Sequence, residues 1–223
     1  MSSINYIPEK MDDFFNKRAI GYDEHRKGLD NTNEFYSMVP YGIVSTEDAV
    51  KILDLGTGTG LELRGIFEKV PNAQITCIDI TNGMLEELKR NYSAYSDQLN
   101  IIVGSYLELP FHENEYDYVV SVQTMHHWLE DTKVQLYKKI LKAIKSGGSY
   151  IEADYIVDEE TEKEKLRQYI EIHKSGVLKE DDIYHIDIPF SVRTQKRIFE
   201  CVGFSEINVI YQKGNGAILV SKR

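Results

Sequence analysis

Between Lys51 and Tyr155, short apolar runs alternate with longer amphipathic stretches. "KILDL", "QITCIDI", "NIIVG", "YDYVVSV" and "SYIEADY" are rich in β-branched and aromatic residues. They lack strict alternation of apolar and polar positions, which predicts strands covered on both faces. Between them, "LELRGIFEKV", "NGMLEELKRNYSAY" and "DTKVQLYKKILKAIK" carry apolar residues at the i, i+3, i+4 rhythm of a helix. Strands and helices in alternation predict parallel β-α-β units with right-handed crossovers.

The flanks read differently. In the first fifty residues, Met11, Phe14, Phe15 and Arg18 share a helical spacing, and Ala19, Tyr22 and Arg26 resume it after Gly21. This predicts an N-terminal helical lid. After Tyr155, "DEETEKEKLRQYIEIHKSG" predicts a charged helix ending at Gly176, and "VLKEDDIYHIDIPF" a polar insertion with bulky apolar residues. "SVRTQKRIFECVGF" predicts a helix capped by Ser191 and ended by Gly203. The last two apolar runs, "SEINVIYQKG" and "NGAILVSKR", are joined through Gly214 and Gly216, which predicts an antiparallel hairpin. The expected fold is α/β, a doubly wound and mostly parallel sheet with a C-terminal antiparallel hairpin and the helical lid. One domain is expected over 1–223: lid 1–50, core 51–155, and 156–223 holding the insertion and last strands.

Composition narrows the function. Of 223 residues, 42% are hydrophobic, enough for an ordinary core. The net charge of -10 lacks the footprint of a phosphate-backbone binder, so nucleic acid is not the expected partner. Cys77 and Cys201 form no C-x-x-C pair and read as buried reduced thiols. No apolar leader or membrane-length run is present, so a cytoplasmic protein is expected, monomeric or homodimeric.

Candidate chemistry begins at "KILDLGTGTG". A strand runs into Gly56, Thr57, Gly58 and Gly60, with Asp54 two positions before the first glycine. Glycine permits positive φ and lets backbone N–H groups face a ligand. A phosphate-cradling P-loop needs Lys-Ser or Lys-Thr after the glycines, and none follows. A dinucleotide fingerprint needs a third small residue where Leu61 stands. An acid at Asp54 repels a pyrophosphate and attracts an ammonium or sulfonium. Asp79 lies nineteen positions after Gly60 at the end of the second strand, where a carboxylate can hold both hydroxyls of a ribose.

With "IVGSYLELPF", "YDYVVSVQTMHHW" and "IKSGGSYIEAD" following in order, the chain resembles the class I S-adenosylmethionine-dependent methyltransferases, of Rossmann-like fold. "FFNKRAIGYDEHR" resembles the N-terminal helices of small-molecule members. The resemblance implies S-adenosyl-L-methionine as cofactor. Gly56, Thr57, Gly58 and Gly60 would wrap its methionine and ribose portions, with Asp54 orienting the methionine end. Asp79 would hold the ribose, Ile80 and Met84 would pack on adenine, and Ser105 and Tyr106 would meet the ring. Ser105 departs from the aspartate often found there. Gln123 would approach the amino acid part, and Tyr22, with His25 or Arg26, would close from the lid. His126 and His127 are the candidate general bases. Asp154, Tyr155 and Tyr184 are expected at the acceptor, with His185 and Phe190 near them. Asp154 and the two histidines lack the spacing of a metal site, and metal-free transfer is expected. The alternatives are a nicotinamide oxidoreductase, a methyltransferase of RNA or protein, and a cofactor-binding protein that has no turnover or uses a modified cofactor such as a carboxylated derivative.

Overall fold

The computed structural model describes residues 7–29, 31–180 and 182–223. A seven-stranded sheet organises them, in the order β3-β2-β1-β4-β5-β7-β6. The strands are β1 (Lys51–Leu55), β2 (Gln74–Asp79), β3 (Leu99–Val103), β4 (Tyr116–Val122), β5 (Ile144–Tyr155), β6 (Ser205–Lys213) and β7 (Gly216–Lys222). The first five pair in parallel, and β7 enters antiparallel against β5 with β6 outside it. The expected sheet and hairpin both form, with β6 rather than β7 at the edge.

The helices are α1 (Met11–Asn16), α2 (Tyr22–Lys27), α3 (Thr32–Met38), α4 (Leu63–Lys69), α5 (Asn82–Asn91), α6 (Glu130–Ala143), α7 (Glu159–Lys174) and α8 (Val192–Val202). α4 starts at Leu63 because the loop's last turn persists through Gly60 and closes with Leu63 N–H on Gly60 O. α8 follows the expected punctuation: Ser191 Oγ accepts from Thr194 N–H at 3.2 Å, and Gly203 turns left-handed at φ +110°. No described helix is long and apolar enough to cross a membrane.

Each central strand contributes to two cores. Leu53, Leu55 and Val119 pack with Tyr137, Ile140, Ile198 and Phe199 from α6 and α8. Ile52, Ile75, Cys77 and Val120 pack on the other face with Leu63, Ile66, Leu85 and Leu88 from α4 and α5. That two-sided burial explains why the runs read as continuous apolar stretches. The period-two geometry also fixes where polar strand residues point. Glu152 stands on the α6 face, where it accepts hydrogen bonds from Tyr137 (2.7 Å) and Tyr150 (2.9 Å). Parallel strands all end at the same edge, so the loops after β1, β2 and β4 converge there.

Candidate active site

The loop after β1 is left-handed at all three glycines, with φ of +70° at Gly56, +55° at Gly58 and +80° at Gly60. Their spatial demands differ. A Cβ on Gly56 would lie 2.5 Å from Thr124 Oγ1, and one on Gly60 would lie 2.5 Å from Leu88 Cδ1. At Gly58 nothing stands nearer than 4.0 Å, and this residue lines a cleft. Asp79, at the tip of β2, ties the loop down. Its Oδ2 accepts from Gly58 N–H at 2.9 Å, and its Oδ1 accepts from Thr81 N–H at 2.7 Å. Each oxygen keeps a further lone pair for a ligand in the cleft.

Gly56, Thr57, Gly58, Asp79, Ile80, Met84, Ser105, Tyr106, Gln123 and Tyr22 all line this cleft. Gly60 backs it against α5. Ser105 Oγ is engaged as acceptor for Leu107 N–H at 3.2 Å, which steadies the turn after β3. Tyr106 is held edge-on: its hydroxyl meets Thr124 Oγ1 at 2.8 Å and accepts from Trp128 Nε1 at 2.6 Å. Gln123 has a left-handed backbone, φ +54°, and its Oε1 accepts from Arg26 Nη2 at 3.2 Å. A non-glycine residue in that region is a local cost that surrounding contacts must offset. The lid lies close over the cleft, leaving about 70 Å³ of open space. Asp23 latches it, accepting from Thr59 Oγ1 at 2.5 Å and from Asn91 Nδ2 at 3.2 Å.

Asp54 departs from expectation. Strand alternation turns it away from Leu53 and Leu55, so it is fully buried behind the loop and does not line the cleft. Glu62, which the motif reading passed over, lines the cleft where Asp54 does not. The two carboxyls are neighbours without a cation between them. Burial pushes Asp54 up to about 6, and burial with the facing Asp54 drives Glu62 well above the usual carboxylate range. Two facing buried carboxyls of this kind disfavour ionisation of both at once. The sequence signal for Glu62 was an acid two positions after the last glycine, at the N-cap of α4.

Beside the cleft lies a second hollow of about 660 Å³. Phe15, Tyr22, Gln123 and His127 wall both. Its other walls include Phe14, Arg18, Arg26, His126, Tyr155, His185 and Asp187. Tyr155 lines this hollow. Asp154 does not, because consecutive strand residues point to opposite faces. It is buried on the α6 face, and its Oδ1 accepts from Tyr155 N–H at 2.7 Å and from His126 Nδ1 at 2.5 Å. A carboxylate can only accept, so Nδ1 carries a proton, and whenever the ring is neutral its lone pair is on Nε2. Tyr184 also misses the cavity. It pairs with Lys10 across a single bridge and faces a separate groove with Tyr169 and His173. The next residue, His185, turns in instead and stacks on Phe14 with ring centroids 3.6 Å apart. Phe190 is buried under Lys133.

The histidines and the insertion meet at Asp187, a residue absent from the sequence expectations. Its Oδ1 lies 3.4 Å from His127 Nδ1, 3.6 Å from His126 Nε2 and 3.9 Å from His185 Nε2. His127 Nδ1 is also 3.2 Å from the Ile186 carbonyl. Burial holds the basicity of His127 well below that of a free imidazole. His126, His127 and Asp187 form a group able to hold a metal ion, among the described residues.

The methyltransferase-domain family profile matches residues 52–148, the segment that builds the glycine loop, Asp79 and the β4 turn. Residues 52–148 are thus a methyltransferase domain, and the fold around them is that of the class I S-adenosylmethionine-dependent methyltransferases. It is 24% identical over 191 residues to a 24-methylenesterol C-methyltransferase of Arabidopsis thaliana, covering 79% of this chain and 51% of that one. It is 26% identical over 182 residues to a carboxy-S-adenosyl-L-methionine synthase of Campylobacter fetus, covering 77% and 76%. The chain thus spans about half the length of the sterol enzyme and three-quarters of the synthase. The fold matches a phosphoethanolamine N-methyltransferase of Haemonchus contortus in complex with S-adenosyl-L-methionine. That match has a TM-score of 0.67 at 15% identity and covers 93% of this chain and 57% of that one. Solved neighbours of this fold hold S-adenosyl-L-methionine. The cleft suits it: an uncrowded Gly58, a carboxylate with spare lone pairs, and apolar Ile80 and Met84 on one wall.

Proposed function

We propose that this methyltransferase methylates a small-molecule acceptor held in the 660 Å³ hollow, with the cofactor in the adjoining cleft. The observation that carries this reading is the shared wall of Phe15, Tyr22, Gln123 and His127, through which the two hollows meet. A roofed cavity in the usual size range for metabolite pockets suits a small molecule better than a polymer. Asp79 holds the ribose, Gly58 and Thr57 present backbone to the methionine portion, and Ile80 and Met84 receive the adenine. Glu62, rather than Asp54, meets the cofactor's ammonium group. The chain acts as one unit: lid 1–50 and segment 156–223 roof a core of 51–155.

The bound cofactor supplies a methyl group already activated by its sulfonium. The chain's own residues then need chiefly to align and to exclude water, and alignment is worth several kcal/mol of the barrier. Gln123, held by Arg26, fixes the boundary between the two hollows. His126, oriented by Asp154, offers the Nε2 lone pair to an acceptor that must lose a proton. With so little free space beneath it, the lid must lift to admit the cofactor.

Isothermal titration with S-adenosylmethionine and its demethylated product tests the assignment. Micromolar binding of both, abolished in Asp79→Ala, is expected. Tight binding of a nicotinamide dinucleotide with no binding of either sulfur ligand would sink it. Gel shift with bulk tRNA, expected to be negative, separates the small-molecule reading from an RNA substrate.

A further inference from the structure

We infer that His126, His127 and Asp187 form a binding site for a divalent transition-metal ion at the floor of the acceptor cavity. The inference rests on donor spacing. Nitrogen and oxygen donors about 2.0–2.1 Å from a tetrahedral ion lie roughly 3.3–3.4 Å from one another. Asp187 Oδ1 stands 3.4 Å from His127 Nδ1 and 3.6 Å from His126 Nε2. Those separations exceed the 2.7–3.2 Å of an N–H···O hydrogen bond, so the carboxylate is not simply bonded to either ring. Asp187 Oδ1 is shielded from water and takes no hydrogen bond from any described group. A shielded, unpartnered carboxylate oxygen between two imidazoles is one that a bound cation would satisfy.

The outer contacts point the same way. His126 gives its Nδ1 proton to buried Asp154 at 2.5 Å, which presents Nε2 as a ligand. Carboxylate behind histidine is the usual support for a metal-binding imidazole. His127 holds its Nδ1 3.2 Å from the Ile186 carbonyl. Metal binding there moves the ring proton to Nε2 and leaves that carbonyl as a further oxygen beside the ion. His185 Nε2, 3.9 Å from Asp187, is within a small side-chain shift of joining. Two imidazoles with one carboxylate suit zinc, cobalt, iron or nickel rather than calcium or magnesium. Three protein ligands leave coordination open toward the cavity, the pattern of a catalytic rather than a structural site. On the methyl-acceptor reading, the open position takes an acceptor oxygen, and the ion, in place of the now-ligated His126 Nε2, helps that oxygen lose its proton. The metal site itself does not depend on that reading.

The sequence hid this site because its ligands lie some sixty positions apart and Asp187 belongs to the insertion. The test needs neither cofactor nor substrate. The chelator-treated full chain is titrated with Co²⁺, followed by visible absorption, and with Zn²⁺ by calorimetry. One ion per chain is expected, with affinity falling at least tenfold in Asp187→Asn and in His127→Gln. Asp154→Asn should weaken binding about tenfold through the outer shell. His112→Gln, on an exposed surface residue, should leave it unchanged. Asp187 lies on a half-exposed strap, so its variant decides the matter if the histidine variant does not fold. Absence of saturable one-to-one binding, or affinity within twofold of the parent in Asp187→Asn, would overturn the site.

Discussion

The two adjoining hollows are built in contrasting ways. The cleft is made by consecutive residues at strand tips: Gly56 to Gly60 after β1, Asp79 and Ile80 after β2, Ser105 and Tyr106 after β3, and Gln123 after β4. The second hollow is assembled from distant pieces, with α1 and α2 on one side, the β4 turn below, and the insertion carrying His185 and Asp187 on the other. A parallel sheet delivers the first kind of site automatically, because its strands end together. The second kind depends on how irregular segments happen to pack. One fold can therefore keep its cofactor site while the acceptor site varies.

The sharpest way to break the contrast is within the glycine loop itself. Gly60→Ala should destabilise the fold by about 3 kcal/mol, combining left-handed strain with a Cβ 2.5 Å from Leu88. Gly58→Ala meets no neighbour, so its stability loss should be about 1 kcal/mol. Its main effect should be on cofactor affinity. Thermal melts of both variants, paired with titration of the demethylated cofactor, check this. Equal stability losses would show that the loop's conformation, not its packing, sets the cost.

This division also explains what was legible beforehand. Strands, helices and the glycine loop follow from local pattern, and β4 begins and ends where the apolar run does. Asp79 was legible because its place at a strand tip follows from spacing alone. Asp54 was misplaced because the motif marks an acid without its side of the strand. Asp154 and Tyr155 were read as sharing one mouth, although adjacent strand residues cannot face the same way. Asp187 was unreadable, since no local pattern connects an insertion residue to a histidine turn sixty positions earlier.

The buried acid pair supplies a test with a pH sign. Asp54 is raised from an ordinary carboxylate value of 3.8 to about 6 by burial, and Glu62 is raised beside it. A raised carboxyl binds its proton more tightly folded than unfolded, so its stabilising contribution is complete below about pH 4. That contribution is lost as pH climbs through about 6. In Asp54→Asn the amide can donate to Glu62, and the Asp54 share of the loss disappears. Relative to the parent, the variant should gain up to about 3 kcal/mol between pH 4 and pH 8. Denaturant melts across that range would show it. A stability difference that does not vary with pH would mean that the pair is not strained.

Asp79→Asn probes the cleft with little change of shape. The amide oxygen can still accept from Gly58 N–H or Thr81 N–H, but not both with full charge assistance. Loss of one charge-assisted bond to the cofactor is worth about 2 kcal/mol, or roughly thirtyfold in affinity. The metal affinity of the cavity should not move, since Asp79 is no part of that wall. A parallel drop in Co²⁺ binding would show the two hollows to be one coupled unit.

The smallest expected effect lies where the hollows share their roof. Asp23 joins α2 to the core through Thr59, which lines the cleft, and Asn91 of α5. Asp23→Ala removes those bonds and leaves the apolar contacts of Phe15 and Tyr22 in place. A net loss of about 1 kcal/mol follows for such exposed-to-intermediate hydrogen bonds, or about a fivefold rise in the open lid population. Amide exchange in α1 and α2 should quicken by that factor, and cofactor association should quicken with it. Amides of β1 and β4 should exchange unchanged, because their protection reflects opening of the sheet rather than the lid. Unaltered exchange in α2 would mean that the aromatic contacts alone hold the roof, and that access to both hollows is set by Phe15 and Tyr22.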